Sequence, residues 1–130
     1  MDQILKNLAA DKDGMATYEY IVNNVDNCIA MMPELVKNLL KVDISGQFLA
    51  SSARFLHSIG YQEFEPWIPE LVEGAIAKDR EHKYIWSLLE ALWGPDYRER
   101  AEELQNSDNN FRRIYKRLFP AESIDNISVI

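Results

Sequence analysis

The stretch PWIPELVEGAIAKDREHKYIWSLLEALW, residues 66–93, decides how the chain is read. Ile68, Val72, Ala75, Asp79, His82, Trp86, Leu89 and Trp93 recur at steps of 4, 3, 4, 3, 4, 3 and 4, the spacing of one helical face. A strand would alternate at 2. Pro66 and Pro69 stand where a first turn tolerates proline, because its N–H groups have no partner inside the helix. Gly94-Pro95 ends the run, since glycine accepts the terminating conformation and proline cannot extend the ladder. The spacing predicts one helix from about Pro66 to Trp93, with Asp79 and His82 buried on its inner face one turn apart.

Such a pair needs a partner, because an unpaired buried charge costs several kcal/mol. Arg54, on the preceding predicted helix, is the natural third member of a buried Asp79, His82 and Arg54 cluster, and a tyrosine hydroxyl is the alternative. A second reading stays open, in which a break at Lys78 makes Asp79 the N-cap of a fresh helix and leaves His82 at the surface. A structural cluster is favoured over an active site. No metal or cofactor is expected: a di-iron bundle needs two Glu-x-x-His motifs and two further Glu, and the chain has 2 His. His57 lies opposite Phe48, Phe55 and Ile59 on its helix and should point outward. Zinc-protease and Gly-rich phosphate-loop signatures are missing from the sequence.

Outward from this stretch the apolar periods remain helical. A short helix over about Gln3 to Ala10 stops at the turn Asp11-Lys12-Asp13-Gly14. From Thr17 a stripe of Tyr18, Ile21, Val22, Val25, Cys28, Ile29 and Met32 predicts a continuous helix, after which Pro33 starts a new one running to about Val42. Cys28 in that stripe reads as core rather than as a nucleophile. Asp43-Ile44-Ser45-Gly46 offers N-caps for a helix ending at Ile59-Gly60, with Ser52 on its buried face bonding a carbonyl one turn back. A weaker helix follows from Pro95 to Gln105, and a last one ends at Pro120. The Gly60 and Gly94 turns lie about 34 residues apart, but their flanks match no tetratricopeptide pattern, so one compact bundle is preferred to a repeat array.

The expected fold is therefore all-α, an up-and-down or orthogonal bundle of six or seven helices in one domain spanning residues 1–130. Residues 1–14 form its opening helix and turn, and residues 120–130 an extended C-terminal tail whose Ile124, Ile127, Val129 and Ile130 seek cover. With 130 residues and 47% hydrophobic content the chain can hold a core without staples, and one Cys excludes an intrachain disulfide framework. Fourteen Lys+Arg against 21 Asp+Glu give a net charge of −7, which makes a nucleic-acid partner unexpected. No apolar run approaches the roughly 18 residues of a membrane span, and Met1 to Ala10 lacks a signal-peptide pattern, so the chain reads as cytoplasmic.

No catalytic motif emerges. The leading expectation is a small protein-interaction or adaptor domain that self-associates, given 3 Trp, 6 Tyr and 5 Phe in so short a chain. Its candidate surface is the stripe Arg112, Arg113, Lys116 and Arg117, opposite the apolar face of Phe111, Ile114, Tyr115 and Leu118. A solvated face complementing the helix dipole explains the same stripe. Two alternatives remain: a hydrolase-like or metal-dependent enzyme centred on Asp79 and His82, and a regulatory nucleic-acid binder using the last helix. Tyr61, Phe64 and Trp67 read as a staple of a helix start onto the core.

Overall fold

Asparagine, aspartate and glycine break the chain more often than its apolar stripes suggest. A computed structural model describes residues 2–124, which form α1 (Asp2–Ala9), α2 (Met15–Asn23), α3 (Met32–Val42), α4 (Gln47–Ile59), α5 (Trp67–Lys78), α6 (Trp86–Trp93), α7 (Ala101–Ser107) and α8 (Asn109–Leu118). Short 3-10 turns lie at Ile29–Met31, Gln62–Phe64 and Pro120–Glu122, and there is no strand among the described residues. The all-helical class is as expected. Among the described residues there are eight helices, not six or seven, because the expected Pro66–Trp93 helix is divided in two; the helix expected from Thr17 is also interrupted, but its remainder forms a 3-10 turn.

The first interruption is at Asn23, where the run expected to reach Met32 stops. Asn24 turns its side chain onto the Tyr20 carbonyl at 2.9 Å, a local bond that competes with the helical ladder. Cys28 stays in the core, fully buried, although it precedes a 3-10 turn rather than sitting mid-helix. The second interruption corrects the expected Pro66–Trp93 helix: α5 ends at Lys78, and residues 79–85 form a connector before α6. Residues 95–100 are turns, so the helix expected from Pro95 begins only at Ala101. Ser52 is buried as expected, yet its Oγ has no hydrogen-bond partner among the described residues.

Packing runs in two layers. In one, α2 lies on α4 and α4 on α6; in the other, α1 lies on α3, α3 on α5 and α5 on α8. Helices α4 and α5 make the most extensive contact between the layers, and α7 packs on α8. The buried side chains form one cluster, with Ile21, Leu35, Leu49, Leu71, Leu88 and Phe111 at its centre. Helices α1 to α6 thus alternate between the two layers.

At the far end, Pro120–Glu122 turns where an extended tail was expected. Ser123 is buried, and the Ile124 N–H donates to Oε1 of buried Gln105 at 3.0 Å, so the tail starts out docked on α7. The expectations for Ile127, Val129 and Ile130 fall outside the described residues.

Candidate interaction surface

Each step from the second layer to the first is made by an aspartate. Asp11, Asp43 and Asp79 follow α1, α3 and α5, and each turns its carboxylate onto amides ahead of it: those of Asp11 and Asp43 reach into the first turn of the next helix, and those of Asp79 lie in the connector just before α6. Asp11 Oδ1 accepts from Gly14 N at 3.1 Å, while Oδ2 accepts from Thr17 N at 2.8 Å and Thr17 Oγ1 at 2.7 Å. Asp43 Oδ1 accepts from Gly46 N at 2.9 Å, and Oδ2 from Phe48 N and Leu49 N at 2.9 and 2.8 Å. Asp79 Oδ1 accepts from Lys83 N at 2.9 Å, and Oδ2 from Tyr84 N and Ile85 N at 2.7 and 2.8 Å. In all three, Oδ2 holds the amide six residues on. These donors and the positive end of the helix dipole compensate the desolvation of a carboxylate.

The third residue after each aspartate has a positive φ: 103° at Gly14, 88° at Gly46 and 57° at His82. His82 therefore stands where the other two connectors use glycine, in a region that disfavours side chains. The connectors also touch in series. A Cβ on Gly14 would lie 3.1 Å from Asp43 Cβ, and one on Gly46 would lie 3.0 Å from the Ala75 carbonyl oxygen and 3.3 Å from Asp79 Cβ. Lys78 Nζ adds a tie, donating to the Asp43 carbonyl at 2.6 Å and to the Leu40 carbonyl. The three connectors thus share one edge of the stack.

This arrangement settles the sequence-derived cluster residue by residue. Asp79 is buried, as expected, but its partners are backbone amides rather than His82 or Arg54. His82 is half-buried on the connector, not inside a helix. Arg54 bonds Ser51 Oγ at 3.3 Å and lines a different groove with Trp86, Glu90 and Tyr97. The open alternative, a break at Lys78 with Asp79 as a cap, comes nearer, except that the cap is buried and lies seven residues before α6. Among the described residues no group of three His, Cys, Asp or Glu is placed to hold a metal ion.

Asp11 shows the electrostatic cost and its compensation. Burial pushes its carboxyl up, but the Thr17 hydroxyl and the amides of Thr17, Gly14 and Asp13 outweigh burial and hold it below its ordinary 3.8. Burial alone raises the Cys28 thiol, in keeping with a core role.

The basic stripe lies on α8, with Phe111, Ile114 and Tyr115 buried behind it as expected. Arg112 and Arg113 are half-buried, whereas Lys116 and Arg117 are exposed. Arg112 donates to Asn109 Oδ1 at 2.9 Å, and Arg117 to the Arg113 carbonyl at 3.0 Å. His57 is exposed. Phe64 is buried in the core and Trp67 packs against it at the start of α5, as expected of a staple, whereas Tyr61 is exposed and its hydroxyl donates to Asp26 Oδ1 at 3.1 Å.

A feature that sequence reasoning missed sits on the connector edge. Ile44 is 81% exposed, one residue from buried Asp43, and borders a groove of about 530 Å³ between the second and third connectors. Lys78, Arg80, Glu81, Lys83 and Tyr84 line its other side. No family model, curated protein or solved structure matches the chain. Both walls are loops held by buried carboxylates, the usual placement of a recognition surface on a rigid scaffold.

Proposed function

We propose that the protein is a small helical interaction module that binds a protein partner through its connector edge, with Ile44 as the apolar anchor. The observation that supports this is the exposure of Ile44 on a turn that the Asp43 carboxylate closes by accepting from the Gly46 and Phe48 amides. Burying such a side chain is worth roughly 1.5 to 3 kcal/mol, and a preorganised connector loses little entropy when a partner covers it. A photo-crosslinking residue at position 44, expressed in the native cell, is expected to trap a protein adduct that the same residue at exposed Glu73 does not. No adduct at 44, or equal adducts at both positions, would overturn the proposal.

Self-association is a separate proposal with its own support. Trp86 is 60% exposed beside Arg54 and Tyr97, and Trp, Tyr and Arg are the residue types that dominate interface energetics. The Trp86 indole N–H already donates to the Lys83 carbonyl at 2.7 Å, so the ring is held with its polar atom satisfied. A dimeric mass in light scattering at tens of micromolar, lost in Trp86→Ala, is the expected result. A monomeric mass ends the idea.

A further inference from the structure

We infer that a cleft between α4, α5, α6 and the start of α8 binds a small primary ammonium compound with an apolar body. None of its lining residues belongs to the connector groove, so it stands apart from the interaction reading. The cleft measures about 210 Å³ and is walled by Ile68 and Val72 of α5 and by Leu92 and Trp93 of α6. His57, Asp108 and Asn110 are its polar lining. Drug-sized pockets run from roughly 300 to 1,000 Å³, so the occupant is smaller, with about ten non-hydrogen atoms or fewer.

Donors along this cleft are already spent on the protein. The Trp93 indole N–H donates to Asp108 Oδ2 at 3.0 Å, and the amides of Asn110 and Phe111 donate to Asp108 Oδ1 at 3.0 and 3.1 Å. Asn110 Nδ2 donates to the Pro69 carbonyl at 3.2 Å. What remains open is acceptors. A carboxylate oxygen has two lone pairs, and Asp108 Oδ2 uses one. All three donors to Asp108 are neutral, and it enters no ion pair among the described residues. The dipole of α8 offsets about half of the carboxylate's charge and leaves the rest. Arg112, one turn along α8, donates to Asn109 Oδ1 at 2.9 Å and does not line the cleft, nor does any Lys or other Arg. A ligand that fits must therefore bring donors and positive charge. An ammonium brings three N–H groups, and charge-assisted hydrogen bonds are the strong ones. The net charge of −7 attracts the same sign. One carboxylate among apolar walls serves an organic cation, whose body they cover, and not a metal ion, which needs several oxygen ligands.

The test is a titration of the isotope-labelled full chain with benzylammonium, benzyl alcohol and benzoate, which are nearly equal in size and differ in charge. Nα-acetyl-lysine amide is added as a separate arm, standing for a lysine side chain of a protein partner. Benzylammonium is expected to shift the Trp93 indole N–H and the Asn110 amide, to leave the Trp86 indole in place, and to bind about tenfold more tightly than the alcohol, with benzoate weakest. Asp108→Asn keeps a good N-cap for α8 and should bring benzylammonium down to the level of the alcohol without weakening the alcohol. Unchanged far-UV dichroism confirms folding, and the charge series on the unsubstituted protein decides the question even if that variant unfolds. Equal binding of amine and alcohol, an amine preference that survives Asp108→Asn, tighter binding by the capped lysine, or no shift at Trp93 with any compound overturns the inference. None of these outcomes touches the crosslinking result at Ile44.

Discussion

Replacing Asp79 by alanine removes the acceptor of three amides at once, and the structure indicates how much each is worth. The Ile85 N–H is buried, and stranding such a donor costs about 1 to 3 kcal/mol. The Lys83 and Tyr84 amides lie on exposed and half-buried residues, where water can replace the lost bond, so each adds about 1 kcal/mol. The expected loss is about 4 kcal/mol, a large part of the 5 to 15 kcal/mol that holds a domain of this size together. Urea unfolding followed by tryptophan fluorescence reads it directly, because Trp86 and Trp93 lie on the helix that loses its anchor. With a slope near 2 kcal/mol/M the midpoint should fall by about 2 M. Asp79→Asn keeps the shape and one acceptor oxygen and should lose less than Asp79→Ala. A loss under 1 kcal/mol for the alanine variant would refute the view that Asp79 is a structural anchor.

Four further outcomes follow from the same geometry. Gly46→Ala should cost about 2 kcal/mol more than Gly60→Ala: both have positive φ, but only at Gly46 does a new Cβ meet a neighbouring connector, and equal losses would deny that contact. His82→Gly should stabilise by about 0.5 to 1 kcal/mol in thermal unfolding, since relief of the left-handed side chain exceeds the gain in unfolded-state entropy; a destabilised variant would contradict this. Because Asp11 titrates lower folded than unfolded, its contribution is complete above 3.8 and disappears as pH falls through the folded value; Asp11→Asn should flatten the acid limb of a stability profile between pH 5 and 2, and an unchanged limb would count against it. Buried Cys28 should react with a thiol reagent at pH 8 only through unfolding, accelerating with urea, and fast labelling without urea would place the thiol outside the core.

The helical class was legible because apolar side chains recur at 3 and 4 throughout, and the ends at Pro33, Gly60 and Pro120 follow from chemistry that acts within a few residues. The break at Asp79 was hidden by the same rule. Asp79, His82 and Trp86 keep the helical spacing across the connector, and periodicity does not register a side chain capturing amides four to six residues ahead. A usable signal did exist in Asp-x-x-Gly at 11–14 and 43–46. Six residues after each aspartate, Thr17 and Leu49 are buried, and ten after, Ile21 and Ala53; counted from Asp79 the same offsets give Ile85 and Leu89, also buried. His82 in the glycine position and spacings of 32 and then 36 residues obscured the third copy. The Asp79, His82 and Arg54 cluster failed for the same reason: once backbone amides satisfy Asp79, it has no need of an arginine. Ile44 was passed over because an apolar residue in a capping turn has no periodic partner that marks it as exposed.

Three aspartates anchor three equivalent connectors along one edge. Amide hydrogen exchange in the native full chain, read at Thr17, Leu49 and Ile85 in Asp11→Ala, Asp43→Ala and Asp79→Ala, tests it most directly. All three amides should be protected in the unsubstituted protein, and each substitution should accelerate exchange most at the amide six residues on. Loss of Asp43 should also loosen Gly14, and loss of Asp79 should loosen Gly46, through the contacts between adjacent connectors. Fast exchange at these amides in the unsubstituted protein, or the same uniform acceleration from every substitution, would contradict it.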